Sequence, residues 1–66
     1  MEMTDMMAET LILNELADGP KTFHDICASR PDIEEFVFEM SLNTLLATGK
    51  VAYNTSAEEY CIIPGA

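Results

Sequence analysis

The sequence predicts an α+β fold in which three helices are followed by a two-stranded β-hairpin, all within a single domain over residues 1–66. Three observations lead there. Apolar residues recur at helical spacing in three successive stretches. Each stretch ends on a Gly or Pro break: Gly19-Pro20, Pro31 and Gly49. After Gly49 the period changes from helical to alternating.

Residues 1–4 read as a loose leader, and Thr4 or Asp5 caps a first helix that runs to about Ala17. Leu11, Ile12, Leu13 and Leu16 give this helix its apolar face, with Met7 and Ala8 one turn earlier. Asp18-Gly19-Pro20 ends it, because Gly accepts the left-handed conformation that closes a helix and Pro cannot extend one. Thr22, with Asp25 three positions later, is a variant of the capping box and opens a short second helix through about Ser29. Ile26 and Cys27 are its inward candidates. Arg30-Pro31-Asp32 interrupts the pattern, and Asp32 with Glu35 repeats the capping arrangement at the head of a third helix that ends near Thr48. Lys50 to Tyr53 and Tyr60 to Ile63 then alternate as the strands of a hairpin, joined by a polar turn over Asn54 to Glu58, and residues 64–66 form a short tail.

At 66 residues the chain has room for one core and hides about 60% of its unfolded surface, so its stability is modest. Hydrophobic residues make up 48% of the chain and aromatics 8%, too apolar a composition for a disordered acidic tail. Three Lys+Arg against twelve Asp+Glu give a net charge of −9, which opposes binding to the phosphate backbone of bare nucleic acid. Acidity also serves plain solubility, and both readings apply to such a composition.

Cys27 and Cys61 are too few and too far apart for a zinc site, and no metal or other cofactor is expected. The acidic start, Met1-Glu2-Met3-Thr4-Asp5-Met6-Met7, lacks a basic segment and a cleavage pattern, which favours reduced thiols in a cytoplasmic protein over a disulfide. No apolar run approaches the roughly 20 residues of a membrane span. His24 beside Asp25 is the one place where a general base suggests itself, but no nucleophile or phosphate loop completes it, so the chain is not expected to be an enzyme. The acids lack the alternating Asp-x-Asp-x-Asp-Gly order of a calcium loop. The five methionines are an adaptable contact surface or ordinary filler.

The order of elements resembles the winged helix-turn-helix family. Ile12-Leu13-Asn14-Glu15-Leu16-Ala17-Asp18-Gly19-Pro20 looks like that family's first helix and its exit. Thr22-Phe23-His24-Asp25-Ile26-Cys27 resembles the opening of its second helix. Phe38, Leu42 and Leu45, followed by Gly49-Lys50-Val51, resemble the third helix and its turn into the first wing strand. The resemblance covers residues Ile12 to Ile62 and implies a third helix that reads the major groove. This chain departs from that pattern where it would matter. Glu34, Glu35, Phe36, Val37, Glu39 and Met40 stand where DNA-binding members carry cations and amides, and the wing holds Asn54, Glu58 and Glu59 with only Lys50 basic.

Stepped at about 100° per residue, the third helix has two apolar sides. Phe38, Leu42 and Leu45 form one; Ile33, Phe36, Val37, Met40 and Ala47 form the other, with Thr44 among them. Glu35, Glu39 and Asn43 make a polar wedge between the two, interrupted by Leu46. Either the first helix or the hairpin covers the second side, or part of it is an exposed patch for a partner. The leading expectation is a small acidic regulator, of the kind found among phage and prophage proteins, that binds another protein through Glu35, Phe36, Val37, Glu39, Met40 and Asn43. Its partner would present a basic surface: a repressor, making the chain an antirepressor, a polymerase subunit, or another DNA-binding protein for which the acids act as a DNA mimic. A DNA-binding regulator that dimerises, and an assembly module of a larger complex, are the alternatives, with a second copy of the chain as a further candidate partner.

Overall fold

The computed structural model describes residues 5–64, with only the backbone described for Asp5 and Met6. The expected leader, the Thr4 cap and the last two residues of the tail lie outside these residues. The order is α1 (Asp5–Leu16), β1 (Lys21–Thr22), α2 (Phe23–Ser29), α3 (Glu35–Ala47), β2 (Val51–Asn54) and β3 (Glu59–Ile62). The fold is therefore α+β, with three helices and a three-stranded antiparallel sheet in the order β1-β3-β2.

Strand β1 was not expected from the sequence. It is two residues long, too short to carry an alternating pattern, and it forms because Lys21 and Thr22 lie opposite Tyr60 and Glu59 of β3. Thr22 has a second role as the N-cap of α2, where its Oγ1 accepts the Asp25 N–H at 3.1 Å, as the capping arrangement predicts. The strand thus delivers the chain directly into α2.

The expected repeat of that cap at α3 does not form. Glu34 is the N-cap and makes no side-chain capping bond. The Asp32 carboxylate is instead gripped by Arg30, whose Nε and guanidinium nitrogen donate at 3.1 and 3.0 Å, and this charge-assisted pair outcompetes a neutral backbone donor. The same hydrogen bonds hold the Asp32 carboxyl below its ordinary range. The turn closes with Ile33 N–H donating to the Arg30 carbonyl, which sends Ile33 into the core ahead of the helix.

At its other end α3 stops on a paired closure. Lys50 N–H donates to the Leu45 carbonyl and Gly49 N–H to that of Leu46, with Gly49 at φ +75°. A side chain is strained at that angle, which is why the sequence places Gly there. The closure aims Val51 straight into β2, which pairs with β3 in the register Val51↔Ile62, Ala52↔Cys61, Tyr53↔Tyr60 and Asn54↔Glu59.

The core is mainly helical: Ile12 and Leu16 of α1, Ile26 of α2, Ile33, then Phe38, Leu42 and Leu45 of α3, with Val51 the only sheet residue fully enclosed. Ala8, Ile12 and Leu16 recur every fourth residue, so α1 buries one face. Leu11, Leu13 and Cys27 are half-buried at the margin, and Met7 stands outside it.

Ser41 is the polar exception. It is fully buried on α3, and its Oγ has no hydrogen-bond partner. A buried hydroxyl without a partner costs about 1–3 kcal/mol, and Ala is also the better helix former. Ser41→Ala is therefore expected to raise stability by about 1–2 kcal/mol, seen as a higher urea midpoint at unchanged slope. A loss of stability would mean that the hydroxyl is hydrogen-bonded in solution.

Candidate protein-interaction surface

Helix α3 divides by burial into two faces. Phe38, Ser41, Leu42 and Leu45 are enclosed, and Val37 and Leu46 flank them half-buried against the core. The opposite arc is open. Phe36 is 56% and Met40 53% exposed, one turn apart on the same stripe, with Asn43, Thr44 and Ala47 exposed around them. The second apolar side read from the sequence is thus split: Ile33 and Val37 belong to the core and its margin, whereas Phe36 and Met40 face water.

The carboxylates border this ridge. Glu34, Glu35 and Glu39 are all exposed. Glu35 lies on the side of α2, where its charge adds to burial in pushing the Cys27 thiol above its ordinary value. At the sheet, burial first, then the charges of Tyr53 and Glu39, raise the Tyr60 hydroxyl above its ordinary value. Among the described residues no cation is paired with these groups. Arg30 is engaged with Asp32, Lys50 follows the far end of α3 beside Leu13, Ile62 and Ile63, and Lys21 is in β1. Among the described residues Arg30–Asp32 is the only ion pair.

Of the site residues expected from the sequence, Glu35, Phe36, Glu39, Met40 and Asn43 share the exposed arc, and Val37 turns inward. The wing residues do not join them. Side chains alternate along a strand, so Tyr53 shares the face of buried Val51, and its cross-strand partner Tyr60 lies on that face too. Asn54 and Glu59 belong to the other face of the sheet. Asn54 is occupied structurally: its Oδ1 accepts the N–H groups of Ser56 at 2.9 Å and Ala57 at 3.2 Å, shaping the turn. Glu58 sits at φ +56° in that turn, a conformation rarely adopted by residues with a side chain.

Tyr53 and Tyr60 are the functional candidates that sequence reasoning missed. Their ring centroids are 4.8 Å apart at a 53° tilt, and Tyr53 is 42% exposed. The available signal was their pairing across a symmetric hairpin, which places Tyr53 opposite Tyr60 once Val51 is set opposite Ile62.

His24, Cys27, Ala28, Pro31, Ile33 and Glu35 line an open depression between α2 and the start of α3. The Cys27 thiol there is shifted away from the thiolate a nucleophile needs. Among the described residues no group of three or more His, Cys, Asp or Glu is placed to hold a metal ion, and no helix is long and apolar enough to cross a membrane. No family model, curated protein or solved structure matches the chain.

Proposed function

We propose that this chain is a small winged helix-turn-helix-type regulator that acts by binding a protein with a basic surface rather than bare DNA. The observation that carries the reading is the open arc of α3, where Phe36 and Met40 are more than half exposed beside the Glu35 and Glu39 carboxylates and no cation stands on the helix. A desolvating apolar centre with a charged rim is the arrangement in which a few residues supply most of the binding energy. The helix order, the Gly49 closure and the hairpin that follows it support the family resemblance. Repressors, polymerase subunits and other DNA-binding proteins are the partner class whose basic surfaces suit this rim, with the acids standing where phosphates would.

The test has two arms. Capture from a lysate, with bound proteins identified by mass spectrometry, is expected to yield a basic protein whose retention is lost in Phe36→Ala. An electrophoretic shift with mixed-sequence DNA is expected to show no complex at physiological salt, even in the range of about 10⁻⁴ to 10⁻⁶ M typical of nonspecific binding. The reason is local as well as global. Glu34 at the N-cap of α3, Glu35 and Glu39 on the helix and Glu58 and Glu59 on the hairpin would all approach phosphates, and Lys50 is displaced to the far end of the helix. A micromolar complex that weakens steeply with added salt would overturn the reading in favour of a DNA-binding regulator.

A further inference from the structure

We infer that the cleft between α1 and the base of the hairpin binds an alkyl monocarboxylate, a fatty-acid-type ligand of short to medium chain. The inference goes beyond the protein-binding reading of α3 and uses none of the residues of that surface. Leu13, Lys50, Ile62 and Ile63 line an open cleft of about 240 Å³. Leu13 packs against the core from α1 and Ile63 is half-buried, so two of the walls are set by the fold. Ile62 stands 36% exposed beside them, which leaves apolar surface in water. Lys50 is exposed, is the one charged residue of the lining among the described residues, and belongs to no ion pair.

This lining runs against the composition of the chain. Acids outnumber Lys+Arg by twelve to three, yet the cleft carries a cation and no carboxylate among the described residues. The net charge of −9 acts on an incoming anion from a distance, and salt at about 0.15 M screens it beyond about 8 Å. Within the cleft Lys50 sets the sign.

The backbone around the cleft narrows the choice of occupant. Lys50 N–H donates to the Leu45 carbonyl, the Lys50 carbonyl accepts the Ile63 N–H, and the Leu13 carbonyl accepts the Ala17 N–H. A bound peptide would bury amides against walls whose backbone groups are already paired, a cost without return. An alkyl carboxylate carries its polar atoms at one end only: the chain covers the three apolar side chains and the head group meets Lys50. A neutral alcohol would cover the same walls and leave the ammonium without a partner. Inorganic phosphate would gain one cation and lose water to three apolar walls. The volume lies below the roughly 300–1,000 Å³ of sites that enclose drug-sized ligands, which suits a single chain.

The experiment is an amide-resolved NMR titration of the full chain with sodium octanoate, sodium hexanoate, 1-octanol and inorganic phosphate, each separately, at about 0.15 M salt. Octanoate is expected to bind saturably, with the largest shifts at Leu13, Lys50, Ile62 and Ile63, and about fivefold tighter than octanol, the size of one exposed ion pair. Affinity is expected to rise about two- to fourfold per methylene from hexanoate to octanoate, and phosphate to give no saturable shift at the cleft. Lys50→Gln, which keeps the backbone hydrogen bonds, is expected to bring octanoate down to the affinity of octanol at an unchanged circular-dichroism spectrum, while Lys50→Arg keeps the preference. Absence of saturation, equal affinities for octanoate and octanol, shifts centred elsewhere, or octanoate binding that survives Lys50→Gln undiminished would overturn the site. If Lys50→Gln does not fold, the comparison of octanoate with octanol on the unmodified chain decides.

Discussion

Phe38→Ala is expected to lower stability by about 3–5 kcal/mol, and Leu45→Ala by about 2–5 kcal/mol. Both side chains are enclosed, at 1% and 0% exposure, and both belong to the single cluster that joins α1, α2, α3 and β2. A domain of this length has a total stability of only about 3–10 kcal/mol. Removing either side chain therefore takes a large share of the whole. The neighbours cannot close the cavity cheaply, because Ile12, Ile26, Leu42 and Val51 are themselves held by separate elements. Urea denaturation followed by circular dichroism measures the effect, and Phe38→Ala is expected to be largely unfolded at physiological temperature. Glu39→Ala, on the open side of the same helix, is the control and is expected to change stability by no more than about 0.5 kcal/mol. Small, equal effects at all three positions would show that the inner face of α3 has been misassigned.

The inner face was legible because its signal is periodic and its cause is local. Phe38, Leu42 and Leu45 repeat at the spacing that keeps side chains on one side of a helix, and nothing about the partner elements is needed to read them. The breaks at Gly19 and Gly49 were legible for the same reason, since both adopt positive φ that disfavours other residues. What failed to show depends on competition or on distance. Asp32 looks like a helix cap until the Arg30 guanidinium two residues away claims its carboxylate. Strand β1 exists only because β3 arrives beside it from nearly forty residues further on, as the Lys21↔Tyr60 register records. The second apolar side of α3 was ambiguous for a related reason. Period alone cannot say that Val37 meets the core while Phe36, its immediate neighbour, does not. The wing misled in a different way: Asn54 and Glu59 are polar and near the turn, yet the pleat sets them on the sheet face away from Tyr53 and Tyr60.

Phe36→Ala is expected to weaken partner binding by about 30-fold or more, the effect of losing one residue worth about 2 kcal/mol at the centre of an interface. Met40→Ala is expected to act in the same direction with a smaller loss, because a flexible thioether stem forms a less fixed anchor than a ring. Neither side chain is enclosed by the fold, at 56% and 53% exposure, so both variants are expected to keep the parent circular-dichroism spectrum and to lie within about 0.5 kcal/mol of its stability. Charge reversal at Glu35 and Glu39 acts on a different step. These carboxylates are exposed at the rim, where they steer a basic partner before contact, so Glu35→Lys and Glu39→Lys are expected to slow association and flatten its salt dependence while changing dissociation less. Surface plasmon resonance with the partner captured from lysate separates the two rates, and denaturation of the same variants supplies the stability for comparison. If Phe36→Ala and Met40→Ala unfold the protein, the ridge is a structural part of the core and the interface lies elsewhere. If they leave both fold and binding unchanged, α3 is not the contact surface, and the hairpin with Tyr53 at its open edge takes its place. The predicted combination, intact fold with lost binding, is the one that only a ridge left bare for a partner produces.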